Sequence, residues 1–195
     1  PIYNGKIIKG INVKESPSWL KSKLKSHNMK SINIVVDLAN YVMLSLGQPM
    51  HTFDYDKIHS NQINVDFAKN DTNIKTLDSQ IRKLSDKNLL IKDGHNPIAI
   101  AGVIGGQNTE IDSKTKNVFI ESALFEPKIV RKSAKSLDLS TDASRRYERS
   151  VDPELIEDSL EILCGLIIKY CGGKACQGLL RSNDPSHIDH RVTFK

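Results

Sequence analysis

Cysteine is scarce in this chain and poorly spaced for chemistry. The 195 residues hold three, Cys164, Cys171 and Cys176, an odd number with no CxxC pair. A disulfide-stapled scaffold and a structural zinc site of the usual ligand spacing are thereby excluded. Cys164 and Cys171 read instead as buried thiols of a reducing compartment, so a cytoplasmic location is expected. No apolar run reaches the ~20 residues needed to cross a bilayer, and no signal peptide is visible. Nucleotide-binding glycine patterns are missing too. Gly102, Gly105 and Gly106 lack GxGxxG spacing, and no Lys-Ser/Thr follows to complete a phosphate loop. There is no internal repeat and no low-complexity stretch.

What is present is ordinary in bulk. The chain is 38% hydrophobic and 26% charged, the composition of a globular protein with enough length for one real core. A net charge of +5 permits a polyanionic partner without requiring one. The chain opens on Pro1, not Met, and is expected to be a piece of a longer protein.

Periodicity and punctuation divide the chain into helical ends and a β-rich middle. Residues 3–11 read as a strand. Ser16-Pro17 opens a helix with Ser16 as cap and Trp19, Leu20 and Leu24 on its apolar side. Residues 32–36 read as a strand or lead-in, and Asp37 as the cap of a helix that ends at Gly47. Residues 62–68 alternate, with Ile63, Val65 and Phe67 on one face. Residues 75–84 suggest a hairpin turning at Asp78-Ser79. Further strands are predicted over 89–92, 98–104 and 117–123. Pro127 starts a helix, residues 143–149 form a short second one, and Asp152-Pro153 opens a third that stops at Gly172-Gly173. The whole implies an α+β fold, a sheet or sandwich core flanked by helices. Residues 1–180 form the domain, and residues 181–195 an exit linker with a strand-like end.

Four segments carry possible chemistry. In residues 36–54, VDLANYVMLSLGQPMHTFD, the stiff Gly-Gln-Pro turn holds His51 in place. It can act there as a base, as a fixed hydrogen-bond donor or simply as packing. In residues 99–108, AIAGVIGGQN, the glycines mark either a tight turn or a site wall of bare backbone. In FIESA, residues 119–123, Glu121 stands in an apolar strand. It is costly there unless it pairs with an arginine or lines a pocket. In residues 139–153, LSTDASRRYERSVDP, Thr141 and Ser144 supply hydroxyls at a helix start. Arg145, Arg146 and Arg149 supply cations that contact phosphates or pair along the helix, Arg145 with Glu148.

In this order these segments resemble the editing domain of the β subunit of bacterial-type phenylalanyl-tRNA synthetase. The likeness runs from about residue 3 to residue 178 and is most specific in GQPMHTFD and TDASRRYERSVDP. It implies hydrolysis of tyrosine wrongly esterified to the phenylalanine tRNA. A hydrophobic synthetic pocket rejects an added hydroxyl by only about a hundredfold, so a second pocket must test for that hydroxyl. By matching positions, the resemblance places the editing pocket on Lys30, Asn40, His51, Gly105, Glu121, Thr141 and Ala143. Glu121 would read the tyrosine hydroxyl, while Gly105 and Ala143 leave room for the aminoacyl group. His51, Asn40 and Thr141 would orient the ester, the terminal adenosine or the water. Lys30 stands where an arginine is common, keeping charge but losing bidentate geometry. The implied partners are the 3′ end of tRNA(Phe) and an α subunit in a two-alpha two-beta assembly. ATP and magnesium belong to that holoenzyme rather than to this domain. The alternatives are a tRNA-docking module of the same subunit with decayed editing, and a free-standing editing protein, against which the Pro1 start and the tail at 191–195 speak.

Overall fold

The computed structural model describes residues 1–60 and 62–182. Its first strand, β1 (Ile2–Lys9), is followed by helices α1 (Ser18–Ser26) and α2 (Ile34–Leu46) and by strand β2 (Met50–Asp54). The β-rich middle holds β3 (Ile63–Phe67), β4 (Asn73–Lys75), β5 (Ile81–Lys83), β6 (Leu89–Asp93), β7 (Asn96–Ile100), β8 (Ile104–Gly105) and β9 (Asn117–Leu124). Helices α3 (Pro127–Ser136), α4 (Asp142–Tyr147) and α5 (Leu155–Cys171) follow, then short strands β10 (Lys174–Ala175) and β11 (Leu180–Arg181). The fold is α+β, as the sequence pattern implies.

The first sheet is antiparallel, with β9 between β1 and β2, and with β10 and β11 both pairing the outer edge of β1. A second sheet runs β3-β6-β7-β8, and β4 pairs β5 in a separate hairpin. Strand alternation gives the first sheet two unlike faces. Ile8, Val118 and Ile120 face α1, α2 and α5 in one core. Phe53, Phe119 and Ala123 face the second sheet, Val130 of α3 and Tyr147 of α4 in the other. Cys164 and Cys171 are buried in the helical core, where burial pushes their thiols up to about 12 and about 11.

Several expected boundaries move, each for a local reason. Ser16 does not cap α1. Its hydroxyl donates to the buried Asp37 carboxylate at 2.5 Å, and the helix begins after Pro17 with no side-chain cap. Asp37 in turn does not cap α2. Asn33 does, accepting from Val35 N and Val36 N at 3.1 Å, so residues 34–36 are helix, not strand. Asp37 instead ties down the lead-in, accepting from Ser31 Oγ and from Ile32 N. Gly47 ends α2 at φ 79, in the left-handed region that suits glycine. The strand expected over 98–104 is two strands with a turn at Gly102, φ 69. Asp152 caps a turn by accepting from Glu154 N, and α5 starts only at Leu155. Leu180 and Arg181 pair with β1, and Ser182 Oγ accepts from Tyr3 N. The strand-like end at 191–195 lies outside the described residues.

Candidate functional site

Register assembles the centre of the site. In the first sheet Gly5 of β1, Glu121 of β9 and His51 of β2 stand directly opposite one another, so all three point to the face of the second sheet. Gly5 carries no side chain into this row, and the Phe119 ring lies over it, 2.4 Å from where a Cβ would be. Glu121 is 4% exposed. Of its two readings the pocket one holds: among the described residues it meets no arginine, and Tyr3 Oη donates to Glu121 Oε2 at 3.0 Å. Burial raises the Glu121 carboxyl to about 8, against the pull of that hydrogen bond.

His51 is held by its neighbours. Its ring meets Phe53 edge-on at 4.4 Å between centroids and lies against Gly105, where an added Cβ would be 2.5 Å from Cε1. Glycine at 105 is therefore demanded by the imidazole. Burial depresses the His51 pKa to about 4, so the ring is neutral at physiological pH. Neither ring nitrogen has a hydrogen-bond partner among the described residues.

Two adjoining cavities use these residues. A narrow inner one of about 60 Å³ is lined by Glu121, His51, Gly105, Ala143, Tyr147 and Ile100, among others. An outer cleft of about 440 Å³ is lined by Lys30, Asn40, His51, Gly105, Thr141 and Ala143, with Met29, Met43 and Leu77 as apolar wall. His51, Gly105, Ala143, Met50, Val103 and Ile104 belong to both, so the two cavities share a wall. Each of the seven residues singled out in the sequence lines one cavity or both.

Their chemical freedom differs. The side chains of Lys30 and Asn40 form no hydrogen bond or ion pair among the described residues, and both line the outer cleft. Thr141 is engaged. Its hydroxyl donates to Val103 O at 2.8 Å and accepts from Ser144 N at 3.0 Å, in a capping box that starts α4. Its direct effect is to fix Ala143 against the turn after β7. The arginines of α4 pair along the helix, with Asp142 and Glu148 as partners. Arg145 and Arg146 reach Asp142 at 3.4 Å, and Arg149 reaches Glu148 at 3.4 Å, so Arg145 does not pair with Glu148.

Sequence reading missed three supporting residues. Tyr3 belongs to the first strand, and nothing local to it points to residue 121. Tyr147 closes the inner cavity, and its hydroxyl donates to Pro49 O at 3.3 Å. Gln48, fully buried in the turn, donates from Nε2 to Ala123 O at 2.9 Å and so ties that turn to β9. Polar residues beside Pro49 were the available signal for Gln48. Among the described residues no three or more His, Cys, Asp or Glu gather to hold a metal ion, and no helix is long and apolar enough to cross a membrane.

Comparison with known proteins gives the family. The B3/4 domain model matches residues 1–172. The phenylalanine–tRNA ligase β subunit of Protochlamydia amoebophila is 44% identical over 171 residues, covering 88% of this chain and 21% of that protein. Those of Oceanobacillus iheyensis and Desulfotalea psychrophila are 40% and 45% identical, covering 99% and 90% of this chain and 23% and 22% of theirs. The chain thus spans about a fifth of the length of these curated relatives. A crystal structure of an N-terminal fragment of the phenylalanyl-tRNA synthetase β subunit from Pyrococcus horikoshii shares the fold. It superposes with a TM-score of 0.54 at 16% identity, covering 93% of this chain and 50% of that one. With the model matched over residues 1–172, this chain belongs to the B3/4 domain family.

Proposed function

We propose that this domain edits mischarged tRNA within a phenylalanine–tRNA ligase β subunit, hydrolysing the ester of Tyr-tRNA(Phe). The observation that carries this reading is the buried Glu121 carboxyl in a narrow cavity that adjoins a wider cleft lined by Lys30, Asn40 and Thr141. A tyrosyl side chain entering from the cleft meets a hydrogen-bonding group at the inner end. Phenylalanine would leave that group unpaired, and a site built to bond a hydroxyl rejects the analogue lacking it.

The outer cleft suits the remainder of the substrate. Lys30 offers a cation to the phosphate of the terminal adenosine, and Asn40 offers an amide to its sugar or base. His51 stands where both cavities meet, the position of the ester. With its pKa near 4 the imidazole is a weak proton acceptor, so its part is to orient the water and the ester. A ribose hydroxyl at the tRNA end then assists the attack. Thr141 acts through Ala143 and the start of α4, whose small residue leaves space for the aminoacyl group. The wider assembly on this reading is cytoplasmic, with two α and two β subunits. ATP and magnesium serve ligation in that holoenzyme and enter no step at these residues.

Single-turnover deacylation of Tyr-tRNA(Phe) by the full enzyme tests the proposal. His51→Ala and Glu121→Ala should each slow hydrolysis at least tenfold, a loss on the scale of one buried hydrogen bond. Unchanged rates in both variants would overturn the site. A parent enzyme without deacylase activity would leave only tRNA docking.

A further inference from the structure

Glu121 alone would make a poor reader. The terminal torsion of a Glu side chain is broad and roughly twofold, so an untethered carboxyl presents either oxygen to a ligand. Here there is one tether. Tyr3 Oη donates to Oε2 at 3.0 Å, and no other hydrogen bond reaches the carboxyl among the described residues. Tyr3 comes from behind the pocket. It stands on β1 opposite Ala123, one diagonal step from Glu121, within reach of an aromatic side chain. Its ring packs on Phe125 at 6.5 Å, and Phe125 meets Tyr147 at 5.2 Å. Tyr3 does not line the inner cavity; it lines a separate groove of about 350 Å³ with Ile7, Tyr55 and Phe119. It therefore touches the reader without touching what is read.

We infer that Tyr3 is the positioning residue for amino-acid discrimination, its hydroxyl holding Oε2 so that Oε1 is presented to the phenolic hydroxyl of the tyrosyl ester. This rests on the editing reading of Glu121. While Oε2 accepts from Tyr3, a proton carried by Glu121 sits on Oε1 and is donated to the phenolic oxygen. In the ionised form Oε1 accepts the phenolic O–H instead. Either form completes a hydrogen bond with tyrosine and leaves one open with phenylalanine.

Three titratable side chains face Glu121 from the elements packed on it: Tyr3 of β1, His51 of β2 and Tyr147 of α4. His51 is neutral, and burial with Glu121 nearby raises both tyrosines well above the usual range. All three are uncharged near neutrality. The hydrogen bond from Tyr3 is thus the one interaction here that favours the ionised carboxyl.

The test compares the full enzyme with its Tyr3→Phe variant, which keeps the ring and its packing. Single-turnover hydrolysis of Tyr-tRNA(Phe) and Phe-tRNA(Phe) is followed from about pH 6 to about pH 9, across the Glu121 value near 8. The Tyr/Phe ratio of kcat/KM should fall about tenfold, and the inflection of the tyrosine profile should move to higher pH. A purely structural role would lower both rates together and leave the inflection in place. An unchanged ratio and inflection in Tyr3→Phe, with discrimination lost in Glu121→Ala, would overturn the role of Tyr3 alone. A parent enzyme that leaves Tyr-tRNA(Phe) intact would overturn the editing reading, and this inference with it.

Discussion

Gly105 and His51 define each other. A Cβ on residue 105 would lie 2.5 Å from His51 Cε1, 2.7 Å from Nε2 and 3.0 Å from Leu77 Cδ1. The ring cannot retreat toward Phe53, which it already meets at 4.4 Å. It must swing into the space shared by the two cavities. Gly105 has no positive φ, so alanine meets no backbone strain there. Gly105→Ala should therefore leave the fold intact and cost about a hundredfold in Tyr-tRNA(Phe) hydrolysis, the usual effect of displacing a catalytic group by an ångström. Thermal unfolding and single-turnover deacylation, measured side by side, check both halves. At this scale the sequence was readable where function and local chain geometry coincide. His51 follows a stiff turn, and three glycines crowd around residue 105. Tyr3 was not readable, because its partner is 118 residues away and only the β1–β9 pairing brings them together.

Helix α4 shows how an element holds in place the pocket wall that it supplies. Thr141 fastens its start to Val103, and Arg146 Nη1 donates to Asp142 O at 2.9 Å, closing the first turn beside Ala143. Arg146 is thus a brace for the pocket wall. Arg146→Ala should slow editing to the same degree at about 50 mM and about 200 mM salt, since no released counterion enters the loss. A loss that appears only as weakened tRNA affinity and changes the salt slope would make Arg146 a phosphate contact. The helix itself was legible from its polar start and cationic flank. One strand that builds the site was not. β2 reads MHTFD, without a clean apolar alternation, because both its faces are covered, one by helices and one by the second sheet. At the β7–β8 turn Gly102 gave the signal for a turn or a site wall, but the choice stayed open because Ala101 and Val103 on either side are buried and read as continuous strand.

Across the whole molecule, two buried titrating groups act on stability in opposite directions. Glu121 holds its proton up to about 8 in the folded state, against an ordinary 4.5. The folded protein therefore binds more protons than the unfolded chain between these values, and stability falls as pH rises through them. His51 is depressed from 6.5 to about 4, so the unfolded chain binds more protons there and stability rises with pH across that interval. The two oppose each other between 4.5 and 6.5, and of the two only Glu121 still changes charge between 6.5 and about 8. Glu121→Gln removes that titration while keeping the shape and the Tyr3 contact. The unfolding temperature of the parent enzyme should therefore decline from pH 6.5 to above 8 relative to Glu121→Gln, and the His51→Ala variant should follow the parent over the same range. Parallel curves for parent and Glu121→Gln would show that the carboxyl is already ionised near neutrality. Oε1 would then act only as an acceptor for the phenolic proton.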